Sequence, residues 1–480
     1  MKAIRTRFAP SPTGFIHVGG IRTALFAWLV AKQNNGKFIL RIEDTDQTRE
    51  VSGSIEHIQD SLRWLGIEWD EGPGTGGDYG PYVQSQRLDI YKRWADKLIQ
   101  AGRAYADPYS AEEVQSFRDQ ARANKQAFLY RNHRPDNPKP WDGTTPLRFK
   151  SEPGNETINW HDEVMGDMHA GPEVIDDFIL IKSDGFPTYN FAHIVDDHEM
   201  QISHVIRGQE FLASMPNYLN LYEALGFEKP VFATMPHILN PTGNKKLSKR
   251  DGAKDILNYQ KEGYLKDAMI NFLASLGWND GTEQEVYSVP EIIDKFSLDK
   301  VQNSNAHFDE RRLLWLNGAH IRELDIDTLY EKVASYWPKN IPEKLDNDDY
   351  KKRVLTLVQE RLKFFEELPE LTDFFFFDLP LNPELISGHK QLAKLPSQEL
   401  SRLLQTSLSR LESSDFETSN LQASLNELLA TTEQKPVVLF SLIRIATTQS
   451  PASPGLAETM SLLGKDKCLK RINEQLNAIG

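Results

Sequence analysis

Apolar and polar positions follow three different rhythms along this chain. A strand-like run from Arg5 to Ala9 gives way to a glycine- and proline-rich stretch, Pro10 to Gly20. Apolar residues then recur at helical spacing at Ile21, Leu25, Trp28 and Leu29. The pattern predicts a strand, a loop, then a helix that stops near Asn34-Asn35-Gly36. Phe38-Ile39-Leu40 reads as a second strand, and Ile55, Ile58, Leu62 and Leu65 as a second helix. This β-α-β-α order begins a parallel sheet with crossover helices, in which ligands bind at the carboxyl ends of the strands.

The rhythm then changes. Residues 71 to 84 are glycine-rich and read as a surface loop, and helical pattern resumes from Leu88 to Ile99. Between Asp107 and about Ile175 come a charged helical stretch (Ala111 to Gln126), a proline-rich segment (Arg134 to Trp141) and short strand-like pieces at Leu147 to Phe149 and Thr157 to Trp160. This reads as a domain inserted into the sheet domain. Parallel strands are expected again at Phe178 to Ile181 and His204 to Arg207. Between them, Tyr189 to His198 contains His193-Ile194-Val195-Asp196-Asp197-His198, open to a metal reading or to a strand with a cap, since the two histidines share no face of a strand. Residues 323 to 480 hold only four of the 29 glycines and carry apolar residues at helical spacing, which predicts an all-α region broken at Pro380 to Pro383.

Composition narrows the class. A chain of 480 residues exceeds one ordinary core, so several domains are expected. No apolar run nears the ~20 residues of a membrane helix, and Met1 to Arg5 has no signal-peptide pattern, so a cytoplasmic protein is expected. The single cysteine, Cys468, excludes an internal disulfide and any zinc site built from several thiolates. A net charge of −14 argues against a generic polyanion binder but leaves room for a local basic stripe.

Two stretches suggest chemistry. In Pro10 to Gly20, glycines allow close backbone approach, and the following helix offers free N–H groups to an anion, with His17 at its mouth. A plain structural turn is the competing reading. Gly243 to Gly252 places Lys245, Lys246, Lys249 and Arg250 within six residues of an acidic protein, either a solvated loop or an anion-binding one. Glu43, Asp44 and Asp46 would lie at a strand's carboxyl end, as ligand groups or as a solvated cap.

In this order, around an interrupted α/β domain, the His17-x-Gly19 loop and the Lys246-Leu247-Ser248-Lys249-Arg250 stretch resemble the HIGH and KMSKS signatures of class I aminoacyl-tRNA synthetases. Arg-Phe-Ala-Pro-Ser-Pro-Thr-Gly at 7 to 14, Arg-Ile-Glu-Asp-Thr-Asp at 41 to 46, Val-Asp-Asp-His at 195 to 198 and Val-Ile-Arg-Gly at 205 to 208 resemble the bacterial glutamyl-tRNA synthetases, over essentially the whole chain. Gly20 stands where HIGH has its last histidine, and Leu247 and Arg250 where KMSKS has methionine and serine.

The resemblance implies a Rossmann-type α/β catalytic domain (1–84 and 176–240), split by an α+β acceptor-binding insertion (85–175). A KMSKS and stem-contact domain (241–322) and two helical anticodon-binding subdomains (323–379 and 380–480) would follow. It implies that glutamate attacks ATP to form glutamyl-adenylate and then passes to the 2′-OH of the terminal adenosine of tRNA(Glu). His17, Lys246 and Lys249 would be catalytic. Ser11, His17, Gly19, Gly20, Glu210, Leu247 and Lys249 would bind ATP, and Arg7, Ser11, Glu43, Tyr189 and Arg207 glutamate, with His193 at the remaining pocket position. Arg361 and Arg444 would contact the anticodon or serve as solvated helix arginines. Mg²⁺ is expected with ATP, no zinc is expected because the insertion lacks cysteine, and a monomer is expected. The competing assignments are a glutaminyl-tRNA synthetase, an enzyme that also charges tRNA(Gln), a truncated paralogue that glutamylates a modified tRNA base, a small-molecule nucleotidyltransferase, and an inactive RNA-binding module.

Overall fold

The computed structural model describes residues 3–241, 243, 245–247 and 254–479. They form two compact units, Met1–Gln260 with Lys266–Glu310, and Lys261–Leu265 with Arg311–Gly480.

In the first unit β1 (Arg5–Phe8) pairs in parallel with β2 (Lys37–Leu40), and α1 (Val18–Gln33) crosses between them. All four residues of β1 are buried, as expected for a parallel strand covered on both faces. Burial forces its polar side chains to find partners. On one face Thr6 donates to the Ala27 carbonyl of α1 at 2.7 Å. Arg5 and Arg7, two residues apart, share the other face. There Arg5 makes a two-pronged contact with Glu71 at 2.8 and 2.9 Å, and Arg7 reaches Asp197 at 3.0 Å. Helix α1 is apolar almost all round and correspondingly enclosed, with Ile21, Leu25, Phe26 and Leu29 buried.

The chain continues through α2 (Ser54–Leu65) and α3 (Leu88–Gln100). The glycine-rich segment between them is less superficial than its composition suggests, since Glu71, Tyr82 and Gln84 are all buried. Beyond β3 (Ala104–Ala106), α4 (Ala111–Ala123) opens with a capping box between Ser110 and Glu113 and buries none of its residues. β4 (Leu147–Phe149) and the hairpin of β5 (Ile158–Asp162) and β6 (Gly166–Ala170) precede β7 (Ile179–Ile181).

The expected return of the parallel sheet at Phe178 to Ile181 needs correction, because β7 pairs antiparallel with β4 in a sheet ordered β3-β4-β7. A short apolar run reads the same in either kind of buried sheet. Tyr189 to His198 is likewise no strand, but lies in α5 (Tyr189–Glu199). Parallel pairing resumes with β8 (His204–Gly208), which lies beside β1 through the Ser203 N–H to Arg5 carbonyl bond. After α6 (Met215–Leu225), β9 (Val231–Met235) pairs with β8.

The second unit is helical from Arg311 onward. Its aromatic run ends a helix, Leu368–Phe376, in which Phe374 and Phe375 are buried. Arg471, in the helix Lys465–Ile479, donates to the carbonyls of Phe374 and Thr447, which end two other helices. One buried guanidinium thus satisfies orphan carbonyls at two helix ends.

The Arg5–Glu71 contact generates a stability prediction. Hydrogen bonds from Arg5, foremost, and from Tyr82 and Lys37 hold the Glu71 carboxyl down at about 2, below the ordinary 4.5. Its stabilisation is therefore complete above pH 4.5 and is lost as pH falls through about 2. Glu71→Gln should cost on the order of 3 kcal/mol at pH 7, and the gap from wild type should shrink on acidification, as read by denaturant midpoints between pH 7 and 3.

Candidate active site

A cleft of about 260 Å³ opens at the carboxyl ends of β1, β2, β8 and β9. Loop Pro10 to Ile16 leaves β1 and delivers His17 as the N-cap of α1. Its Nδ1 accepts the Gly19 N–H at 3.1 Å, which leaves Nε2 as the proton-bearing nitrogen of the neutral ring. A Cβ at Gly19 would stand 3.0 Å from the His17 ring, so a larger residue would push the imidazole off this seat. Gly20 is similarly confined by Ile16, whose side chain would lie 3.0 Å from an added Cβ.

After β2, the Arg41 N–H to Phe8 carbonyl and Glu43 N–H to Pro10 carbonyl bonds carry Glu43 against the loop. Arg41 is entirely buried. It binds Glu43 at 2.9 Å and Asp197 at 2.8 Å, with Asp196 3.7 Å away. Arg87 takes the other oxygen of Asp196 at 2.7 Å, and Tyr91 donates to Asp196 at 2.8 Å. Gln84 joins the same network through Asp196 at 2.9 Å.

β8 contributes Arg207, 5% exposed, among the rings of Tyr218, Phe211 and Phe232 at 5.2 to 5.7 Å from their centroids. Among the described residues no carboxylate pairs with it, so the buried charges beneath the cleft do not cancel. Arg7, Arg41 and Arg87 face Glu43, Asp196 and Asp197, whereas Arg207 and the equally buried Arg22, which also lines the cleft and donates to the Pro236 and Leu276 carbonyls, have no paired carboxylate among the described residues. The neutral side chains leave that excess in place. Burial drives the Tyr189 hydroxyl well above its ordinary range and the His193 imidazole down to about 3. His193 donates from Nδ1 to the Tyr189 carbonyl at 2.7 Å and stacks on the Tyr189 ring, 4.6 Å between centroids, while its buried Nε2 has no partner among the described residues.

At the other end of the cleft Lys246 reaches Glu210 at 3.1 Å, and the Glu210 carboxyl is lowered despite the opposing effect of burial, chiefly by hydrogen bonding and by Lys246. Leu247 is buried and anchored by its N–H to Ile238 at 2.8 Å.

Of the residues singled out in the sequence, Arg7, Ser11, His17, Gly19, Gly20, Glu43, Tyr189, Arg207, Glu210 and Lys246 line this one cleft. Lys249 lies outside the described residues. Arg361 and Arg444 lie in the helical unit, where Arg361 lines a separate cleft with Arg322 and Glu367. Burial, and then the charge of Arg361, lower the Arg444 guanidinium.

Sequence reading missed the roles of Arg41, Asp196 and Asp197. The signal was helical spacing. On α5, Tyr189, His193 and Asp197 recur every four residues and share a face, which a strand reading of the same segment hides. Among the described residues His193 and His198 belong to no cluster of metal-ligating groups, and His198 stacks on Phe227 with centroids 3.6 Å apart.

Comparison with known proteins places these features in context. Residues 3–315 match the family model of class I tRNA synthetases (E and Q), catalytic domain, and residues 328–476 match an anticodon binding domain. Glutamate–tRNA ligases of Dehalococcoides mccartyi (strain CBDB1) and Clostridium botulinum (strain Hall) are each 41% identical, over 98% of this chain and 96% and 97% of their own. A crystal structure of a glutamate tRNA ligase from Elizabethkingia meningosepticum, in complex with its amino acid, superposes with a TM-score of 0.86 at 33% identity over 100% of both chains.

Glu43 supplies the prediction. Burial, only partly offset by Arg41, raises its carboxyl from 4.5 to about 7. The stability associated with its protonated form is complete below pH 4.5 and is lost as pH rises through about 7. Glu43→Gln should therefore melt above wild type at pH 8, with an advantage that disappears near pH 4.5, as measured by thermal unfolding across that range.

Proposed function

We propose that this chain, which belongs to the class I glutamate–tRNA ligases, joins L-glutamate to tRNA(Glu) in two steps at the cleft described above. In the first, an α-carboxylate oxygen of glutamate attacks the α-phosphorus of ATP, and pyrophosphate leaves. In the second, the 2′-OH of the terminal adenosine attacks the glutamyl carbonyl and releases AMP.

The uncompensated guanidinium of Arg207 carries this reading. The cleft holds more buried guanidiniums than carboxylates, Arg207 among those without a paired carboxylate, and glutamate, with two carboxylates and one ammonium, brings net negative charge to it. Glutamine is neutral and would leave the excess unbalanced. We assign the side-chain carboxylate to Arg207 and the Tyr189 hydroxyl, and the ammonium to Glu43, whose Oε1 is occupied by Arg41 and Gln84. Arg7, already held by Asp197, borders the carboxylate that reacts.

Displacement at phosphorus accumulates negative charge on oxygen, so positioning and cations matter more than covalent help. His17 presents Nε2–H at the mouth of α1, where the helix N-terminus adds its own attraction for phosphate. Lys246 and Lys249 supply cationic charge, Gly19 and Gly20 admit the nucleotide close to the backbone, and Ser11, Glu210 and Leu247 border it. Magnesium arrives with ATP, held by phosphate oxygens and water, and no zinc is required. Arg361 and Arg444 form the anticodon contact in a monomeric cytoplasmic enzyme, and the insertion receives the acceptor end.

ATP–pyrophosphate exchange tests the reading. Exchange is expected with glutamate and tRNA(Glu) together. Equal exchange with glutamine would overturn the substrate assignment, and supplying tRNA(Gln) reports whether that acceptor is charged too. Arg207→Gln should raise the KM for glutamate by about 100-fold or more with the KM for ATP little changed, as measured by steady-state kinetics. Lys249→Ala should lower turnover by at least about 100-fold without shifting the melting temperature.

A further inference from the structure

Val51 and the first turn of helix α2 touch the histidine loop at three points. The Val51 N–H donates to the Pro12 carbonyl at 2.9 Å, the Ser54 hydroxyl donates to the Gly14 carbonyl at 2.8 Å, and the His57 imidazole stacks on the Phe15 ring at 4.5 Å with planes 22° apart. Ser54 and His57, three apart on α2, share a face, and with Val51 they hold Pro12, Gly14 and Phe15 of the loop.

The third contact differs in kind because His57 faces two ways. Its Nε2 lies 2.8 Å from both carboxylate oxygens of Asp255, so Nε2 carries the proton that is shared between them. Asp255 also accepts the Leu257 N–H at 2.9 Å, at the start of α7 (Ile256–Glu262). In the sequence, Phe15 precedes His17 by two residues, and Lys249 precedes Asp255 by six. His57 lines no part of the cleft that holds Arg7 and Arg207.

We propose that His57 is a positioning residue for adenylate formation. One imidazole holds the histidine loop by its face and, by Nε2, holds Asp255 at the start of α7. It thereby sets where the histidine loop, and with it His17, stands against the start of α7. The inference rests on the two-step reading above. On that reading His17 acts on the triphosphate, and misplacing a reacting group by about 1 Å can cost about 10²-fold in rate. Arg7, Tyr189 and Arg207, which carry most of the glutamate pocket, lie on other elements than this loop.

The test uses the full chain with glutamate and tRNA(Glu). Wild-type exchange checks the functional reading, and the variants, read relative to it, check His57. His57→Ala is expected to lower kcat for pyrophosphate exchange about tenfold or more while the KM for glutamate stays within about twofold. Asp255→Ala should give a similar loss, and the double variant should be no slower than the slower single variant. His57→Phe keeps a ring against Phe15 but cannot donate to Asp255, whereas His57→Gln keeps a donor. Gln should therefore exceed Phe in kcat several-fold at comparable melting temperatures, a contrast that decides the matter even if the alanine variant does not fold. A kcat for His57→Phe equal to or above that of His57→Gln would overturn the proposal, as would multiplicative losses in the double variant or a loss carried by the glutamate KM.

Discussion

Arg41 carries its charge with no access to water, and the catalytic unit is arranged around that constraint. A buried guanidinium is tolerated only where carboxylates answer it. The answering carboxylates come from two separate stretches, Glu43 two residues on and Asp196 and Asp197 on α5, and Arg7 from β1 and Arg87 from the start of α3 share those aspartates. Fixing these charges fixes where the strand ends, and with them the walls of the cleft, must stand.

The same constraint separates stability from function. Arg5 and Glu71 form a contact in which each group gains from the other, and the Glu71 carboxyl is stabilised in its charged form. Glu43 and Arg207 are left short of that balance, the one raised toward neutrality and the other without a carboxylate among the described residues. On the proposed reading, a pocket that awaits a charged substrate keeps some of its own charge unanswered, and the protein bears the cost in advance. The end of the cleft at α1 follows another logic. There, a helix N-terminus seated on His17 and backbone left open by Gly19 and Gly20 replace buried charge pairs.

The local elements were legible because local rules decide them. The helical spacing of Ile21, Leu25, Trp28 and Leu29 and that of Ile55, Ile58, Leu62 and Leu65 correspond to α1 and α2, and the glycine-poor tail is helical. Two stretches misled for physical reasons. Ile179 to Ile181 is too short for its apolar run to reveal whether its neighbours are parallel or antiparallel. In α5, two histidines and two aspartates drew attention as a cluster, while the helical period that aims Tyr189, His193 and Asp197 in one direction went unread.

Sequence alone determined the family, through motif text, and the residue types a glutamate and ATP site requires, because side-chain chemistry does not depend on where the chain places it. It also placed His17 at a helix mouth, a local consequence of glycine and capping. Only the tertiary structure decided that Arg207 lacks a carboxylate partner among the described residues while Arg7 and Arg41 share Asp197, and that His57 stands between Phe15 and Asp255. Such facts depend on which distant residues burial forces together and on the charge left over once they have paired, and neither is written in any one stretch of the chain.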